Sequence, residues 1–562
     1  MANIPQTASR CQQQLTAPGA PFELVQGEIG GVPMPMYRNA FATLPELIAA
    51  ARVHGDKEFM VYEGDRWTFA RFFEAVDALA AQLQQRFGVA RGDRVAIMMR
   101  NRPEWAVGFV AAASIGAVAA PINSFGMSAE LAASLRDVAP RVVLCDGERL
   151  ARVPDVPAQL DCVAVVVGGD AAAPMVLRYE DVVAGPARTP RAVQLSAQDP
   201  ALILFTSGAT SKAKGVLSSQ RAVCQALCNM DYIGAVSALA SPERVAAIVQ
   251  RGFAPTILAA VPLFHVSGLH AQLLSAMRNG RRIVFMHRWD PARALELIRS
   301  ERITQFNGAP SMVLQLLAEP GFDEATTSLA GIGFGGAGLP QRAIDELLRR
   351  KPDSLSGVGF GLTESNGVGT AASGDLFVYK PRSSGRLSPI MTLRVADIDG
   401  SPLPAGQAGE LWLRGASLMD GYWRDPDTTA AAMSDGWFRS GDIGYIDDEG
   451  FLFVVDRIKD VINRNGEKIA ASEVESCILQ HPQVLEVAVL AADDEAAGET
   501  VVAVVVPKPG AALDGAAIQA HVAASLAGYK VPSRVHLHTG PLPRNAVGKL
   551  LKSALKREYA GT

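Results

Sequence analysis

The alternation of apolar runs with helical patterns constrains the fold of this chain more than any other feature. Apolar residues recur at helical spacing through residues 70–87, and a strand-like run at residues 94–98 follows. Similar strand-like runs at residues 142–145 and 163–167 continue the pattern. Strands that alternate with helices indicate an α/β architecture.

An uncharged stretch at residues 105–129 is long enough to span a membrane. It consists mostly of Ala, Gly and Ser, and the sequence Pro121-Ile-Asn-Ser interrupts it. We interpret it as a buried helix that runs into a core strand. Because residues 1–20 are polar and lack the apolar core of a signal peptide, we expect a soluble, cytoplasmic protein.

Length, charge and cysteine spacing narrow the class of protein. A chain of 562 residues is too long for one ordinary core, so two or more domains are expected. Lys and Arg number 53 against 57 Asp and Glu, whereas a nucleic-acid-binding protein would show a basic excess. The six cysteines have no paired spacing, which is typical of reduced core thiols. His265 and His270 do not have the i, i+4 spacing of one helical face, so no zinc site is expected.

A polar loop at residues 206–215, Thr-Ser-Gly-Ala-Thr-Ser-Lys-Ala-Lys-Gly, follows a strand-like run at residues 201–205. Its glycines allow the backbone to approach an anion, its hydroxyls donate hydrogen bonds and its lysines supply charge, so it suits a phosphate. It is not a Walker A loop, because Ala213 and Gly215 stand where that pattern requires glycine and a hydroxyl. Taken alone, it could also be a solvated polar connection.

A glycine-rich segment at residues 331–336 formally matches G-x-G-x-x-G. A dinucleotide site needs a strand before these glycines, and residues 323–328 do not form a convincing one. We therefore do not interpret the match as a dinucleotide site.

The 206–215 loop resembles the phosphate loop [YF]-T-S-G-[ST]-T-G-x-P-K-G-V of the adenylate-forming superfamily. That family contains acyl- and aryl-CoA synthetases, adenylation domains of peptide synthetases, and firefly luciferase. Here Ala209, Ser211 and Ala213 replace the usual hydroxyl, glycine and proline. Further segments resemble other motifs of the family in the family's order, between residues 40 and 556: residues 262–268, 335–340, 359–364, 436–442, 456–469 and 543–549.

The resemblance implies a role for each residue that matches a motif. The implied catalytic residues are Lys549, His265, Glu364 and Thr206. The implied nucleotide- and coenzyme-binding residues are Thr206, Ser207, Gly208, Ala209, Thr210, Lys214, Gly336, Ala337, Phe360, Gly361, Thr363, Asp442, Arg457, Lys459 and Gly466. Glu364 and Thr206 are the implied Mg²⁺ ligands, and a hard cation does favour oxygen. Asp442 would hold the ribose, and Lys459 would be a hinge.

Three segments are expected, the first from its Gln-, Pro- and Gly-rich composition and the other two from the same resemblance. They are an extended N-terminal lead-in at residues 1–39, a large α/β adenylation domain at residues 40–458, and a small, mobile C-terminal α+β domain at residues 459–562. Within the small domain, Ser472 and Glu475 have the spacing of a capping box, which predicts the start of a helix.

The activity that the resemblance implies is an acyl-CoA synthetase that uses ATP, Mg²⁺ and coenzyme A. A carboxylic acid would give acyl-AMP and pyrophosphate, and the CoA thiol would then take the acyl group. Peptide-synthetase domains usually carry an Asp where this chain has His265, which indicates an acid without an α-amino group. The small, apolar pocket segments favour a fatty or aryl acid.

Two alternatives remain open. One is an adenylation enzyme that passes the acyl group to a carrier protein or another acceptor. The other is a weakened or non-catalytic ligand-binding homologue, suggested by Ala209, Ser211 and Ala213. The expected partners are small molecules, with no nucleic acid and no transmembrane segment, and a homodimer is left open.

Overall fold

The computed structural model describes residues 4–169, 175–184, 189–206, 213–335, 339–545 and 548–560. Its helices are α1 Ile4–Thr16, α2 Leu44–Ala51, α3 Phe69–Gln85, α4 Pro103–Ser114, α5 Ser128–Val138, α6 Gly147–Leu150, α7 Val156–Gln159, α8 Tyr179–Val183, α9 Gln220–Ala240, α10 Pro242–Arg251, α11 Val266–Gly268, α12 Ser275–Arg278, α13 Pro291–Ser300, α14 Pro310–Ala318, α15 Phe322–Ala325, α16 Gln341–Arg350, α17 Asp375–Tyr379, α18 Pro426–Ala432, α19 Ala471–Ile478, α20 Gly515–Ala523 and α21 Lys552–Leu555.

Its strands are β1 Leu24–Ile29, β2 Val32–Tyr37, β3 Glu58–Tyr62, β4 Asp65–Thr68, β5 Arg94–Met98, β6 Val118–Pro121, β7 Val142–Asp146, β8 Val163–Val167, β9 Val176–Arg178, β10 Pro200–Phe205, β11 Gly215–Ser219, β12 Thr256–Ala259, β13 Arg282–Phe285, β14 Gln305–Gly308, β15 Gly331–Gly335, β16 Gly357–Gly361, β17 Gly369–Ser373, β18 Arg386–Leu387, β19 Met391–Ala396, β20 Gly409–Gly415, β21 Gly421–Tyr422, β22 Met433–Ser434, β23 Trp437–Ile446, β24 Leu452–Arg457, β25 Val461–Arg464, β26 Glu467–Ala470, β27 Val484–Asp494, β28 Gly498–Pro507 and β29 Arg534–Leu537.

Two large sheets form the N-terminal domain and confirm the predicted α/β class. One has eight strands in the order β21-β11-β10-β6-β5-β7-β8-β9, and the other has nine in the order β18-β17-β16-β15-β14-β12-β13-β3-β4. Their inner strands are mostly parallel and covered by helices on both faces, which is why β7 reads as a continuous apolar run. A single core joins the two sheets and completely buries Phe72, Trp105 and Leu273.

The uncharged stretch forms the predicted buried helix and core strand, α4 and β6. Among the described helices, α9 is long and apolar enough to cross a membrane by length and composition, and 56% of its most apolar window is buried inside the protein. Its completely buried Asn229 accepts a hydrogen bond from the Tyr37 hydroxyl at 2.8 Å. The helix therefore packs as part of a core.

The first residues are not the extended lead-in that the sequence predicted for residues 1–39. Helix α1 buries Ala8, Cys11 and Leu15, and the hairpin of β1 and β2 follows it. At the end of β2, Tyr37 is buried and exchanges backbone hydrogen bonds with the Gln225 side chain on α9. The prediction was wrong because the apolar face of α1 is narrow and lies between glutamines, which dominate the composition.

The C-terminal part of the chain contains two smaller sheets. The first has the order β19-β20-β23-β22, with β24 paired to β23, and the second has the order β26-β25-β28-β27, with β29 paired to β28. The predicted hinge residue Lys459 lies in the short turn Ile458–Asp460 that connects them. The domain limits at residues 458 and 459 stay a prediction.

The predicted capping box at the start of α19 is not formed. The helix begins at Ala471, so Ser472 already lies inside it, and its hydroxyl donates to the Val455 carbonyl oxygen instead. Glu475 accepts from the Val489 amide at 2.8 Å and pairs with Lys552 at 2.7 Å. Asp456, which precedes the turn, accepts from the Ser472 amide at 3.0 Å and caps the helix from outside.

Candidate active site

The predicted phosphate loop connects the antiparallel strands β10 and β11, whose ends pair as Phe205 with Gly215. At its base, the Thr206 amide donates to the Lys214 carbonyl oxygen at 2.9 Å. A Walker A loop leads from a strand into a helix, so this hairpin position is consistent with the failed match to that pattern. Other predicted residues of the loop lie outside the described residues: Ser207, Gly208, Ala209 and Thr210.

Glu364, the predicted metal ligand, lies in the short turn Thr363–Ser365 after β16. Its Oε1 accepts from the Tyr422 hydroxyl at 2.9 Å, and its backbone oxygen accepts from the Met419 amide at 2.8 Å. Phe360 and Gly361 form the end of β16 just before it.

Among the described residues, no group of three or more His, Cys, Asp or Glu could hold a metal by itself. Mg²⁺ is commonly bound by one or two carboxylates together with substrate phosphates, so a single Glu364 near a phosphate loop fits that cation.

Asp442 provides a buried carboxylate with a free acceptor. It is only 4% exposed, and its cross-strand neighbour on β24 is Arg457, whose Nε donates to Oδ1 at 3.0 Å. The other oxygen, Oδ2, is buried and has no hydrogen-bond partner among the described residues. Burial raises the pKa of Asp442, while Arg457, Lys549 and Lys459 oppose that rise. Buried acceptors are rarely left unpaired, so Oδ2 suits a hydroxyl donor from a ligand.

Lys549 enters the same region from the small domain. It directly follows Gly548, whose carbonyl oxygen accepts from Ser311 Oγ on α14 of the large domain at 3.5 Å. The Lys549 side chain is open to solvent, yet the surrounding protein excludes enough water to lower the pKa of its ammonium. Arg457 lowers this pKa further, whereas Asp442 and Glu364 raise it. The charges of Asp442, Glu364 and Arg457 all act on Lys549, so these four residues belong to one region where the two domains meet, which we call the cleft.

His265 lies at the edge of this cleft, at the N-cap of α11. Burial, together with the charge of Lys549, lowers the pKa of His265 to about 3. The imidazole is therefore neutral at ordinary pH and adds no charge beside the site.

The glycine-rich segment at residues 331–335 is itself strand β15, not a turn between a strand and a helix. The dinucleotide pattern instead requires a strand before these glycines. A Cβ on Gly335 would lie 3.0 Å from the Gly359 carbonyl oxygen on β16, so glycine permits the close approach. Gly336 and Ala337 of the predicted adenine-binding turn lie outside the described residues.

Gly466 lies away from the cleft contacts. It follows β25 with φ of 86°, and a Cβ placed there would meet no atom within 4 Å. A side chain at this position is therefore free of steric conflict in the present orientation of the domains.

Sequence reasoning missed a basic cluster at the carboxyl ends of β5 and β7. Arg100 is 7% exposed, and its Nε and Nη1 have no hydrogen-bond partner among the described residues. Burial, together with the charges of the nearby Arg149 and Arg288, lowers the pKa of Arg100 to about 10. Arg149 is bound to Asp146 through Nη1 at 3.0 Å. The available signal was the position of Arg100 and Asp146 at the ends of parallel strands, where ligands commonly bind.

A row of aromatic rings leads from the cleft to this cluster. The rings of His265 and Phe264 are 4.4 Å apart, those of Phe264 and Phe125 are 6.0 Å apart, and Arg100 lies 3.3 Å above Phe125. Phe264 is only 3% exposed, so these contacts link the basic cluster to the cleft through packed side chains.

Comparison with known proteins identifies the same family that the order of the sequence motifs indicated. Residues 47–423 match the family of AMP-binding enzymes, and residues 473–549 match the AMP-binding enzyme C-terminal domain. An indoleacetate–CoA ligase of Aromatoleum aromaticum is 34% identical over 498 residues, which cover 88% of this chain and 93% of that protein. The long-chain-fatty-acid–CoA ligase FadD13 of Mycobacterium tuberculosis is 32% identical over 501 residues, with coverage of 88% and 94%. The crystal structure of ATP-bound MatB from Rhodopseudomonas palustris has a TM-score of 0.78 at 27% identity, and covers 91% of this chain and 99% of that one.

Proposed function

Because the chain belongs to the AMP-binding enzymes, in their acyl-CoA synthetase branch, we propose that it activates a fatty or aryl acid in the cleft around Asp442 and Lys549. The observation that carries this proposal is the buried Asp442 carboxylate, which accepts from Arg457 Nε at 3.0 Å, keeps Oδ2 without a partner among the described residues, and lies within the electrostatic influence of Lys549. Asp442 offers an acceptor for a ribose, and the cations and the Glu364 carboxylate suit the phosphates and metal ion of a nucleoside triphosphate.

The first step couples the acid to AMP. A carboxylate oxygen attacks the α-phosphorus of ATP, the bond to the β-phosphate oxygen breaks, and pyrophosphate leaves. Asp442 Oδ2 accepts from the ribose hydroxyls, and Arg457 keeps that carboxylate oriented. Lys549 stabilises the negative charge that develops during the displacement. When bound, Mg²⁺ would shield the phosphates, and Glu364 with Thr206 would hold it.

The second step transfers the acyl group. The CoA thiol gives up its proton, its sulfur attacks the acyl carbon of acyl-AMP, and AMP leaves. We propose that the small domain rotates about Lys459 between the two steps, a hinge motion that removes Lys549 and brings Gly466 toward the acyl group. This motion would break the hydrogen bonds that Ser472 makes with Asp456 and Val455 across the turn.

Apolar groups beside α11 support a fatty or aryl acid. A Cβ on Gly367 would lie 3.1 Å from Val266 Cγ2 and 3.5 Å from Met230 Cε, so these residues close around a small apolar space. His265 supplies no negative charge that could hold an amine. The ligases reported above are named for indoleacetate and for long-chain fatty acids, which are apolar acids of these two classes.

The test is a panel of fatty, aryl, amino and dicarboxylic acids, with pyrophosphate release and acyl-CoA formation both measured. The proposal predicts both products from fatty or aryl acids. Preference for an amino acid or a dicarboxylic acid would contradict it. A carrier protein offered in competition with CoA tests the other-acceptor alternative. If none of the acids gives pyrophosphate release, that result would support the weakened homologue.

All six cysteines are free and buried, which supports the cytoplasm as the proposed location.

The fall in the rate of pyrophosphate release at alkaline pH, the alkaline limb of the pH–rate profile, should report the ionisation of Lys549. Its ammonium is active below its pKa, and because that pKa is lowered, the charge is lost at a lower pH than in free lysine. We expect the rate to fall as pH rises through a value below the ordinary lysine pKa. In a Lys549→Arg variant, whose guanidinium stays protonated, this limb should move to higher pH. The same limb in both proteins would assign the titration to another group.

We also propose that the basic cluster around Arg100 binds the phosphates of CoA. The Nε and Nη1 atoms of Arg100, which have no partner among the described residues, suit an anion, and the ring contacts from His265 through Phe264 to Phe125 join Arg100 to the cleft. Arg100→Ala should raise the KM for CoA about tenfold or more, since a hydrogen bond to a charged group contributes about 1.5–3 kcal/mol.

Pantetheine, which lacks the nucleotide phosphates, provides the control for this prediction. The KM for pantetheine should be the same in Arg100→Ala and the natural protein, and pyrophosphate release without an acceptor should also be unchanged. Equal losses with CoA and with pantetheine would show that Arg100 does not bind the phosphates.

A further inference from the structure

Tyr422 lies where the two predicted ATP-binding elements meet. It belongs to the short strand β21, which pairs with β11 directly after the phosphate loop, with Tyr422 opposite Val216. The next amide, of Trp423, donates to the Gly215 carbonyl oxygen at 2.7 Å, and the Tyr422 amide donates to Thr429 Oγ1 at 2.8 Å. Its backbone is therefore fixed on both sides.

The Tyr422 side chain contacts one residue from each element. Its hydroxyl donates to Glu364 Oε1 at 2.9 Å, and the ammonium of Lys214 lies 5.1 Å from the centre of its ring. The latter distance is within the range of a cation–π interaction.

We propose that Tyr422 is a positioning residue of the ATP and metal site, which fixes Glu364 through one oxygen and Lys214 through its ring. The hydroxyl occupies Oε1 of Glu364 and leaves Oε2 for the cation. The ring face restrains the Lys214 ammonium beside the phosphate loop. This role rests on the proposed metal-binding function of Glu364.

The consequence is that one hydroxyl controls how well the ATP complex binds its cation. Without the hydroxyl, the Glu364 carboxylate can rotate, and the cation loses a ligand that is oriented in advance. The ring remains in Tyr422→Phe, so the contact with Lys214 is kept. In Tyr422→Leu both contacts are lost, and ATP binding should weaken in addition to cation binding.

The chain offers a matched control for the Tyr422→Phe change. The Tyr379 hydroxyl donates to Glu449 Oε1, also at 2.9 Å, in an exposed contact outside the cleft. Tyr379→Phe thus removes the same kind of hydrogen bond from a place with no role in the reaction.

The experiment titrates Mn²⁺ into the full-length protein with a non-hydrolysable ATP analogue and measures free Mn²⁺ by electron paramagnetic resonance. We expect Tyr422→Phe to weaken Mn²⁺ binding by roughly tenfold, the loss of one charge-assisted hydrogen bond. The Mg²⁺ concentration for half-maximal pyrophosphate release should rise by a similar factor. Tyr379→Phe should leave both values unchanged.

Glu364→Gln separates the two ways in which the inference could fail. If Glu364→Gln weakens Mn²⁺ binding and Tyr422→Phe does not, the positioning role of Tyr422 is wrong while the metal role of Glu364 stands. If neither variant weakens it, both roles are wrong. A lower melting temperature for Tyr422→Phe with unchanged Mn²⁺ affinity would show a purely structural role and would also overturn the inference.

Discussion

Replacing Lys549 by alanine should reduce pyrophosphate release from acid and ATP by about 10²–10³-fold, the usual effect of removing one group that stabilises developing charge. In the proposed mechanism, negative charge develops on the phosphates beside this ammonium, which lies within the electrostatic influence of Asp442, Glu364 and Arg457. Acyl-CoA formation from supplied acyl-AMP should persist, because no pyrophosphate leaves in that step. The measurement compares the two half-reactions in the same variant.

Gly466→Leu serves as the reciprocal variant. In the present orientation of the domains a side chain at this position meets no atom within 4 Å, so acyl-AMP should still form. The positive φ of 86° costs a leucine roughly 1–2 kcal/mol, so folding is checked by thermal melting. After domain rotation, the leucine should obstruct the pantetheine arm and block acyl-CoA formation. Equal loss of both half-reactions in both folded variants would contradict domain alternation.

Asp442→Ala should raise the KM for ATP by about two orders of magnitude, because two ribose hydroxyls lose a charged acceptor worth about 1.5–3 kcal/mol for each hydrogen bond. Oδ2 of Asp442 is buried and has no partner among the described residues, so no other group there competes for it. Steady-state kinetics at varied ATP, with the acid saturating, measures the effect.

Asp442→Asn is the control that keeps the size and shape of the side chain while removing its charge. It keeps one acceptor oxygen and the size of the side chain but loses the charge that holds Arg457. Its KM for ATP should lie between the natural and alanine values. An unchanged KM for ATP in Asp442→Ala would remove this residue from the nucleotide site.

Local sequence patterns predicted much of the fold. The strand at residues 94–98 and the helix before it were predictable because each has a strong apolar period and is bounded by polar residues. The sequence did not indicate that residues 331–335 form strand β15. Helix α1 was missed because its three buried residues lie among glutamines.

The features that sequence reasoning missed depend on contacts between distant residues. Glu475 looked like half of a capping box, but its partner Lys552 is far away in the chain, and the half-buried ion pair overrides the local pattern. Tyr422 contacts Glu364 only because β21 pairs with β11. Arg100 becomes part of a basic cluster only because the fold brings Arg149 and Arg288 close to it at the carboxyl ends of β5 and β7.

The most direct test of the central claim follows the oxygen atoms of the acid. The protein is incubated with ATP, CoA and a carboxylic acid whose carboxylate carries heavy oxygen, and the products are analysed by mass spectrometry. If an acyl-AMP intermediate forms, one labelled oxygen must appear in AMP, and acyl-CoA, AMP and pyrophosphate must form in equal amounts. Label in inorganic phosphate together with ADP, or acyl-CoA with no label in AMP, would contradict the adenylate mechanism.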